Sequence, residues 1–401
     1  MLPDVLIAGA GPAGSATATH LARAGHRVLV VDRAAFPREK PCSEYMSPEA
    51  VRLLDRLGVV ADLERAGAQP IDGTRVVAPR GSSLVGRFSE TEVRPFRSAG
   101  LGVSRWILDQ RLVDCARAAG AEVRERTTVE ELLYESGGVA GVVVRNASGL
   151  RESIRARVVI GADGLRSVVA RRVGRRRHGL PARVAFVAHV TGVAGLEGIT
   201  EMHVGDHGYV GLNRIAADVA NVALVVPRQV AAAARGDVTR FFFTMVEQFA
   251  GVRGRVRRER LVRQVLVTGP FAAWSGRVVA NGALLVGDAA DFFDPFTGEG
   301  IGTALRGAEL AAESISTALT LPGPVTAASL QPYRLARRAA FLGKWAVERL
   351  VGYGMLVPAL FDRAVGRLER RGLAHTFIGV TGDYVPARAV LNPWFLSRMV
   401  L

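Results

Sequence analysis

Gly9, Gly11 and Gly14 stand at the spacing G-x-G-x-x-G, with Pro12 and Ala13 between the last two, and Asp32 follows eighteen residues beyond Gly14. That set can hold a dinucleotide. The first glycine permits a tight turn, the second lets the backbone approach a pyrophosphate at a helix N-terminus, and the third lets helix and strand pack closely. The acid accepts hydrogen bonds from a ribose. A second set lies far downstream, where Asp288 ends an apolar run and Gly298, Gly300 and Gly302 lead into a helical stretch. Glycines there free backbone N–H groups to point at an acceptor. That arrangement suits a flavin pyrimidine ring, which becomes anionic on reduction, while Asp288 can take a ribityl hydroxyl. The side chains able to move protons are Cys42, Tyr209, His203, His207 and Glu299. Cys42 also reads as a small buried thiol without chemistry, and Glu299 as a partner of the helix dipole. His203 and His207 flank Gly205-Asp206 in an expected hairpin turn, which puts both in a solvated loop. Their spacing would serve a metal only on a helix, and Gly205 and Gly208 argue against one, so no metal site is expected.

These residues need elements to hold them. Asp4–Ala8 is a short run of buried-strand type, a helix runs from the glycines to Ala24, Gly25 closes it, and His26–Val31 is a second apolar run, which completes a β-α-β unit. Val158–Ile160 runs as a strand into Gly161-Ala162-Asp163-Gly164, with a helical stretch over Leu165–Arg172. Ala283–Val286 is another strand, ending in Gly287-Asp288, and the helix after Gly302 extends to about Leu319. Ser47 and Pro48 make an N-cap and first helical position. Arg183–Val193 and Val219–Val226 alternate as half-buried strands do. Beyond residue 330 the chain reads as helical. Phe341, Trp345, Leu350, Tyr353 and Leu356 interleave there with Arg337, Arg338, Lys344, Arg349 and Arg363, an amphipathic and basic pattern. The expected role is a helix packed on the cofactor domain, with membrane docking as the alternative. The apolar end, Asn392–Leu401, either docks on the body or caps a hydrophobic tunnel.

In their order and spacing the three motifs resemble the flavoprotein superfamily of para-hydroxybenzoate hydroxylase, the flavin-dependent halogenases and the geranylgeranyl reductases. The resemblance implies FAD as cofactor and an α/β fold (α+β overall), with a Rossmann-type FAD-binding domain, an inserted β-sheet substrate domain and a helical C-terminal region. Residues 1–75, 100–180 and 270–325 would form the discontinuous FAD-binding domain, 76–99 and 181–269 the substrate domain, and 326–401 the helical region. It implies Gly9, Gly11, Pro12, Ala13 and Gly14 at the pyrophosphate, and Asp32 with Arg33 at the adenosine ribose. Arg105, which leads the stretch Ser104–Leu112, would contact FAD, and Val129 would send a backbone amide to the adenine. Asp163 and Gly164 belong to the second fingerprint, Gly287 and Asp288 to the ribityl chain, and Pro295, Gly298, Gly300, Ile301 and Gly302 to the isoalloxazine. Phe36–Ala50 resembles the geranylgeranyl reductase signature, in which glycines follow a Pro-Cys pair. Pro41-Cys42 is kept, which would place Cys42 near the ring, but Ser43-Glu44 stands where the glycines would be, and those glycines let the backbone approach the flavin. Lys40 is either a compact ammonium near cofactor phosphate or flavin, or a plain surface lysine.

The aromatic strand of geranylgeranyl reductases is reduced here to Tyr209, and the Trp-x-Trp-x-Ile-Pro element of halogenases is absent. No second Gly-rich β-α-β unit follows, so NAD(P)H would bind transiently as reductant or electrons would arrive from a partner reductase. The expectation is an FAD-dependent oxidoreductase, foremost a monooxygenase of secondary metabolism that hydroxylates an apolar aromatic or polyketide-like substrate through a flavin C4a-hydroperoxide. Cys42, Tyr209 and Glu299 are its catalytic candidates. The alternative is a C=C reductase of an isoprenoid or lipid, and after it a quinone or electron-transfer protein.

Composition narrows the partners. The 401 residues hold 52 Lys+Arg against 37 Asp+Glu, a net charge of +15, and the isoelectric point is about 11.0. Only Lys40 and Lys344 are lysines, so the charge is a compositional excess of arginine. Its densest run, Arg171, Arg172, Arg175, Arg176 and Arg177, has no interleaved aromatic residue and reads as a solvated helix face, so nucleic acid is not expected. Two cysteines exclude a disulfide scaffold and a Cys-rich zinc cluster. Mean hydropathy is +0.20, yet no run approaches the ~20 apolar residues of a spanning helix. The first apolar run carries Asp4 and ends in glycines, unlike a signal peptide. Cytoplasmic residence is expected, with peripheral membrane contact as the alternative. The apolar excess points to a large cofactor core and an apolar small-molecule substrate.

Overall fold

β1 (Val5–Ala8) is buried on both faces, Val5 and Ile7 with Ala13 and Leu21 on one, Leu6 and Ala8 with Val129, Leu132 and Val142 on the other. The computed structural model describes residues 2–196 and 198–400. From β1 the chain turns at Gly9 into α1 (Pro12–Arg23) and returns as β2 (Val28–Val31), parallel to β1 with Ile7 opposite Val30. There follow α2 (Pro48–Leu57), β3 (Gly73–Val77), β4 (Ser83–Arg87), α3 (Arg105–Ala118), β5 (Glu122–Arg124) and β6 (Val158–Gly161). Next come β7 (Arg183–Thr191), β8 (Ile199–Gly205), β9 (Gly208–Ala216), β10 (Val219–Pro227), β11 (Leu266–Thr268), β12 (Val279–Ala280) and β13 (Ala283–Leu285). The remaining helices used below are α4 (Gly300–Thr320), α5 (Gln331–Gly354), α6 (Pro358–Arg370), α7 (Ala374–Thr381) and α8 (Pro393–Val400).

The first sheet has the order β12-β13-β6-β1-β2-β5 and is parallel apart from the β12–β13 pair. The loops that carry Gly9, Asp32, Gly161–Gly164 and Gly287-Asp288 all leave the carboxyl ends of its strands, the edge where open α/β sheets bind ligands. The second sheet has the order β11-β7-β10-β9-β8-β3-β4 and is antiparallel apart from β8 with β3. In it His189 on β7 lies opposite Asn221 on β10. Phe395 and Met399 of α8 join the core of Tyr45, Val76 and Leu84, so the apolar end docks on the body.

Several expectations are corrected. His203 is not in a loop: β8 extends to Gly205, which pairs with Gly208, and only Asp206 and His207 form the turn. His203 is buried, its Nε2 2.8 Å from Glu201 Oε2. The helix expected over Leu165–Arg172 spans Val168–Val173, because Ser167 Oγ and Asp163 Oδ2 cap it by accepting from Ala170 N and Val168 N. Of the arginine run, Arg171 and Arg172 sit on that helix, whereas Arg176 turns inward and donates to the carbonyls of Leu165, Asp288 and Ala289. The boundary at 75/76 falls inside β3, whose pairing with β8 starts at Gly73. In α5, Arg337, Phe341 and Lys344 face inward, where Asp291 and Asp383 lie 2.8 and 2.7 Å from the two cations. Among the described residues no helix is long and apolar enough to cross a membrane.

Candidate functional site

The N-terminal glycines do what their spacing demands. Gly9 has φ +99°, and a Cβ there would sit 2.5 Å from the Ala162 carbonyl, while a Cβ on Gly14 would collide with the Gly9 carbonyl. Gly11 is different: the atoms nearest a Cβ are guanidinium nitrogens of Arg38 and Arg105, at 3.6 and 3.8 Å. Two cations therefore face the N-terminus of α1, a ready anion cradle. Asp109, fully buried on α3, holds both, at 3.0 Å from Arg38 and 2.6 Å from Arg105. Burial pushes the Arg38 pKa down. It opposes the Arg105 charge too, but Asp109 and the Cys42 sulfur outweigh it and hold Arg105 above its ordinary value. Lys40 is half-buried with Nζ beside Gly164, and burial together with Arg105 pushes its pKa down. It is not a plain surface lysine.

These groups open onto a cavity of about 150 Å³. Its cofactor side is lined by Gly11, Pro12, Ala13, Lys40, Pro41, Cys42, Ser43, Arg105, Gly164, Asp288, Pro295, Gly298, Gly300 and Ile301. Its sheet side is lined by Ala185, Val187, Met202, Tyr209, Ala223, Val225 and Thr268, with Phe271 and Phe292. Other expected residues lie behind this wall. Asp32 caps the end of β2, accepting from Ala10 N at 2.7 Å and Ala34 N at 2.8 Å. Gly287 packs under Ala13, Gly302 lies in the first turn of α4, and Asp163 caps its turn with Oδ1 buried and unpartnered. Arg33 is exposed, and the Val129 side chain is buried with Leu6 and Ala8.

Tyr209 and Glu299 are more committed than their sequence suggests. The Tyr209 ring reaches the cavity, but its hydroxyl donates to Asp294 Oδ1 at 2.7 Å, and burial with that carboxylate drives its pKa well up. Glu299 is buried at the N-cap of α4 without reaching the cavity wall. Burial pushes its pKa up to about 8 despite Lys344 Nζ at 4.0 Å. Its neutral form thus stabilises the fold fully below about pH 4.5, and that contribution is lost as pH rises to about 8. Glu299→Gln mimics the neutral form, so thermal melts should show its Tm advantage over the parent widening between those pH values. A constant difference would contradict the assignment.

Two buried carboxylates that the motifs did not flag bolt the cofactor loops to the second sheet. Glu44 has φ +58° and is fully buried. It accepts from Arg105 N at 2.8 Å and Asn221 Nδ2 at 2.7 Å, and lies 2.6 Å from His189 Nε2. Asn221 also donates to the Cys42 carbonyl at 2.9 Å. Asp294 accepts from Arg183 Nη1 at 2.6 Å, from Tyr209 and from Phe296 N. Glu44 takes up the left-handed backbone that a glycine would serve. The alternation of the partner strands is the only sequence signal for either bolt.

The residues present fit FAD: a cation-lined cradle that only glycine leaves open, acids at two strand ends, and a glycine-flanked helix N-terminus. Gly11→Val tests the cradle. Its Cβ meets only ordinary contacts, so the apoprotein should melt close to the parent, while FAD affinity in a fluorescence titration falls about tenfold or more. Unchanged affinity would place the pyrophosphate elsewhere.

Residues 3–341 match the family described as FAD binding domain. Among curated relatives, conditioned medium factor receptor 1 of Dictyostelium discoideum is 27% identical over 92% of this chain and 74% of its own length. A digeranylgeranylglycerophospholipid reductase of Methanoculleus marisnigri is 30% identical over 85% of this chain and 83% of its own. A menaquinone reductase of Mycobacterium tuberculosis is 31% identical over 84% and 83%. Among solved structures, a flavin-dependent brominase aligns with a TM-score of 0.82 at 20% identity, covering 96% of this chain and 94% of its own. A geranylgeranyl bacteriochlorophyll reductase-like protein of Thermoplasma acidophilum aligns at 0.77 and 21% identity, covering 97% and 98%. These structural likenesses concern the fold.

Proposed function

This chain belongs to the FAD binding domain family of FAD-dependent oxidoreductases, and from that premise we propose that it reduces an isolated C=C bond in an apolar, isoprenoid-like chain. One observation carries the reading. The sheet side of the cavity is apolar, its Tyr209 hydroxyl is committed to Asp294, and among the described residues Thr268 is its other polar side chain. Such a wall offers little to orient a phenolate and much to bury a hydrocarbon. The relatives named as reductases of a digeranylgeranylglycerophospholipid and of menaquinone support it.

Bound FAD, once reduced by an external two-electron donor such as NAD(P)H or a partner reductase, would supply hydride to one carbon of the double bond. Gly9, Gly11 and Gly14 with Arg38 and Arg105 would hold its pyrophosphate, Asp32 the adenosine ribose, Asp288 the ribityl chain, and Pro295 with Gly298, Gly300 and Ile301 the isoalloxazine. Val187, Val225, Phe271 and Phe292 exclude water from the chain beside it. Cys42 Sγ delivers the proton to the other carbon. The thiolate left behind is met by Glu44 N–H at 3.4 Å and by the Arg105 guanidinium, and water returns the proton. Cys42→Ser, a much weaker acid on the same path, should leave FAD affinity intact and slow single-turnover reduction of a prenyl lipid about 100-fold. An unchanged rate would remove the thiol from the reaction.

A second reading is hydroxylation of an apolar aromatic or polyketide-like substrate. It is favoured by the Phe271 and Phe292 rings, whose centroids lie 5.3 Å apart at the cavity wall and could stack a flat ring.

A further inference from the structure

We infer that the outward face of α5, with its continuation into α6, docks on a membrane surface that carries anionic lipid. Leu335, Arg338, Leu342, Ala346, Arg349 and Tyr353 recur at intervals of three or four residues and form one exposed stripe along a helix of about 36 Å. The opposite side of the helix, with Phe341, Lys344, Val347 and Val351, is buried. Single exposed leucines are ordinary, but beyond the buried Met355 this stripe is followed at once by Leu356 (56% exposed), Val357 (52%) and Leu360 (39%). Leu180, 73% exposed, sits beside it, where its carbonyl accepts from the Tyr353 hydroxyl at 3.2 Å.

A cleft flanks the stripe, walled by Arg277, Arg334, Arg338 and Arg349 with Trp274 and Trp345. Among the described residues none of these four arginines has a carboxylate within 4.0 Å, and Arg337 at the cleft floor is already held by Asp291. The sole acid of α5, Glu348, is not on the stripe. Unpaired cations around an apolar ridge, with indoles beside them, match the layering of a lipid interface: acyl region under the leucines, headgroup phosphates at the guanidiniums. Charge complementarity selects this occupant over a second copy of the chain, because an isologous dimer through this face would set arginines against arginines. The inference is independent of the reaction in the cavity.

The test is sedimentation of the FAD-loaded protein with vesicles of phosphatidylcholine alone, or of phosphatidylcholine containing about one third phosphatidylglycerol. The expected result is binding to the anionic vesicles that weakens at high salt, and little binding to the neutral ones. Arg334→Glu with Arg338→Glu, and separately Leu356→Ser with Leu360→Ser, should each weaken binding about tenfold or more, with the flavin spectrum and Tm of the holoprotein unchanged. Equal binding to both vesicles, or no binding, would overturn the proposal. So would loss on charge reversal with no effect of the leucine changes and full competition by millimolar inorganic phosphate, which would mark a soluble-anion site. A concentration-dependent dimer abolished by the same substitutions would also overturn it.

Discussion

Glu44→Ala should cost the fold about 3–5 kcal/mol and weaken FAD binding at least about tenfold. The carboxylate is fully buried and takes Arg105 N, His189 Nε2 and Asn221 Nδ2 at 2.6–2.8 Å. Alanine leaves Arg105 N without an acceptor and takes one partner each from His189 and Asn221, which keep Arg263 and the Cys42 carbonyl, and it keeps a Cβ at φ +58°. The loss reaches the cofactor because Asn221 also holds the Cys42 carbonyl, and Arg105 begins the helix whose guanidinium faces the pyrophosphate cradle. Glu44→Gly separates the two contributions: it releases backbone strain worth about 1 kcal/mol but restores no acceptor, so it should remain strongly destabilised. Urea unfolding of both variants, with flavin fluorescence titration, reads these quantities. A glycine variant as stable as the parent would show that Glu44 is tolerated and is not a bolt.

Asp294→Ala should be comparably severe, at about 3–5 kcal/mol, because it strands a buried Arg183. That guanidinium is 5% exposed and keeps only neutral neighbours among the described residues, the Gly352 carbonyl at 3.3 Å and the Tyr209 ring at 5.9 Å. The Tyr209 hydroxyl and Phe296 N–H lose their acceptor as well. The segment that loosens, Pro295 to Gly298, is the one expected under the isoalloxazine, so the flavin spectrum of any holoprotein that forms should change. Adding Arg183→Met to Asp294→Ala removes the stranded charge and should recover part of the stability, a non-additivity that a double-mutant cycle measures. Full additivity would mean that the pair is not coupled.

What was legible in the sequence is what local backbone geometry demands. Gly9 is dictated by the positive φ of its turn, Gly14 by the Gly9 carbonyl five residues before it, and Ser47-Pro48 by one helix start, so spacing alone reveals them. The bolts are not local. His189 and Asn221 reach Glu44 across 145 and 177 residues, and Arg183 and Tyr209 reach Asp294 across 111 and 85. Which strand residues meet a loop depends on sheet register, and register is set by pairings that no short window contains. Glu44 therefore looked like the loss of a glycine, when its partners make it a substitute for one. His203 was misplaced because two glycines near a turn obscured a strand that runs to Gly205. In α5 the helical period was plain, but interleaved arginines hid which side faces inward. Asp291 and Asp383, distant in sequence, decided it by drawing Arg337 and Lys344 into the body.

Hydrogenation of an isoprenoid-like chain in this cavity can be read by mixing dithionite-reduced holoprotein with a prenyl lipid under strict exclusion of oxygen, following flavin absorbance and the mass of the lipid. The flavin should reoxidise without oxygen, and the lipid should gain two hydrogens for each flavin oxidised. A flavin that stays reduced until oxygen enters, with a product that has gained one oxygen atom and no hydrogens across the double bond, would contradict hydrogenation.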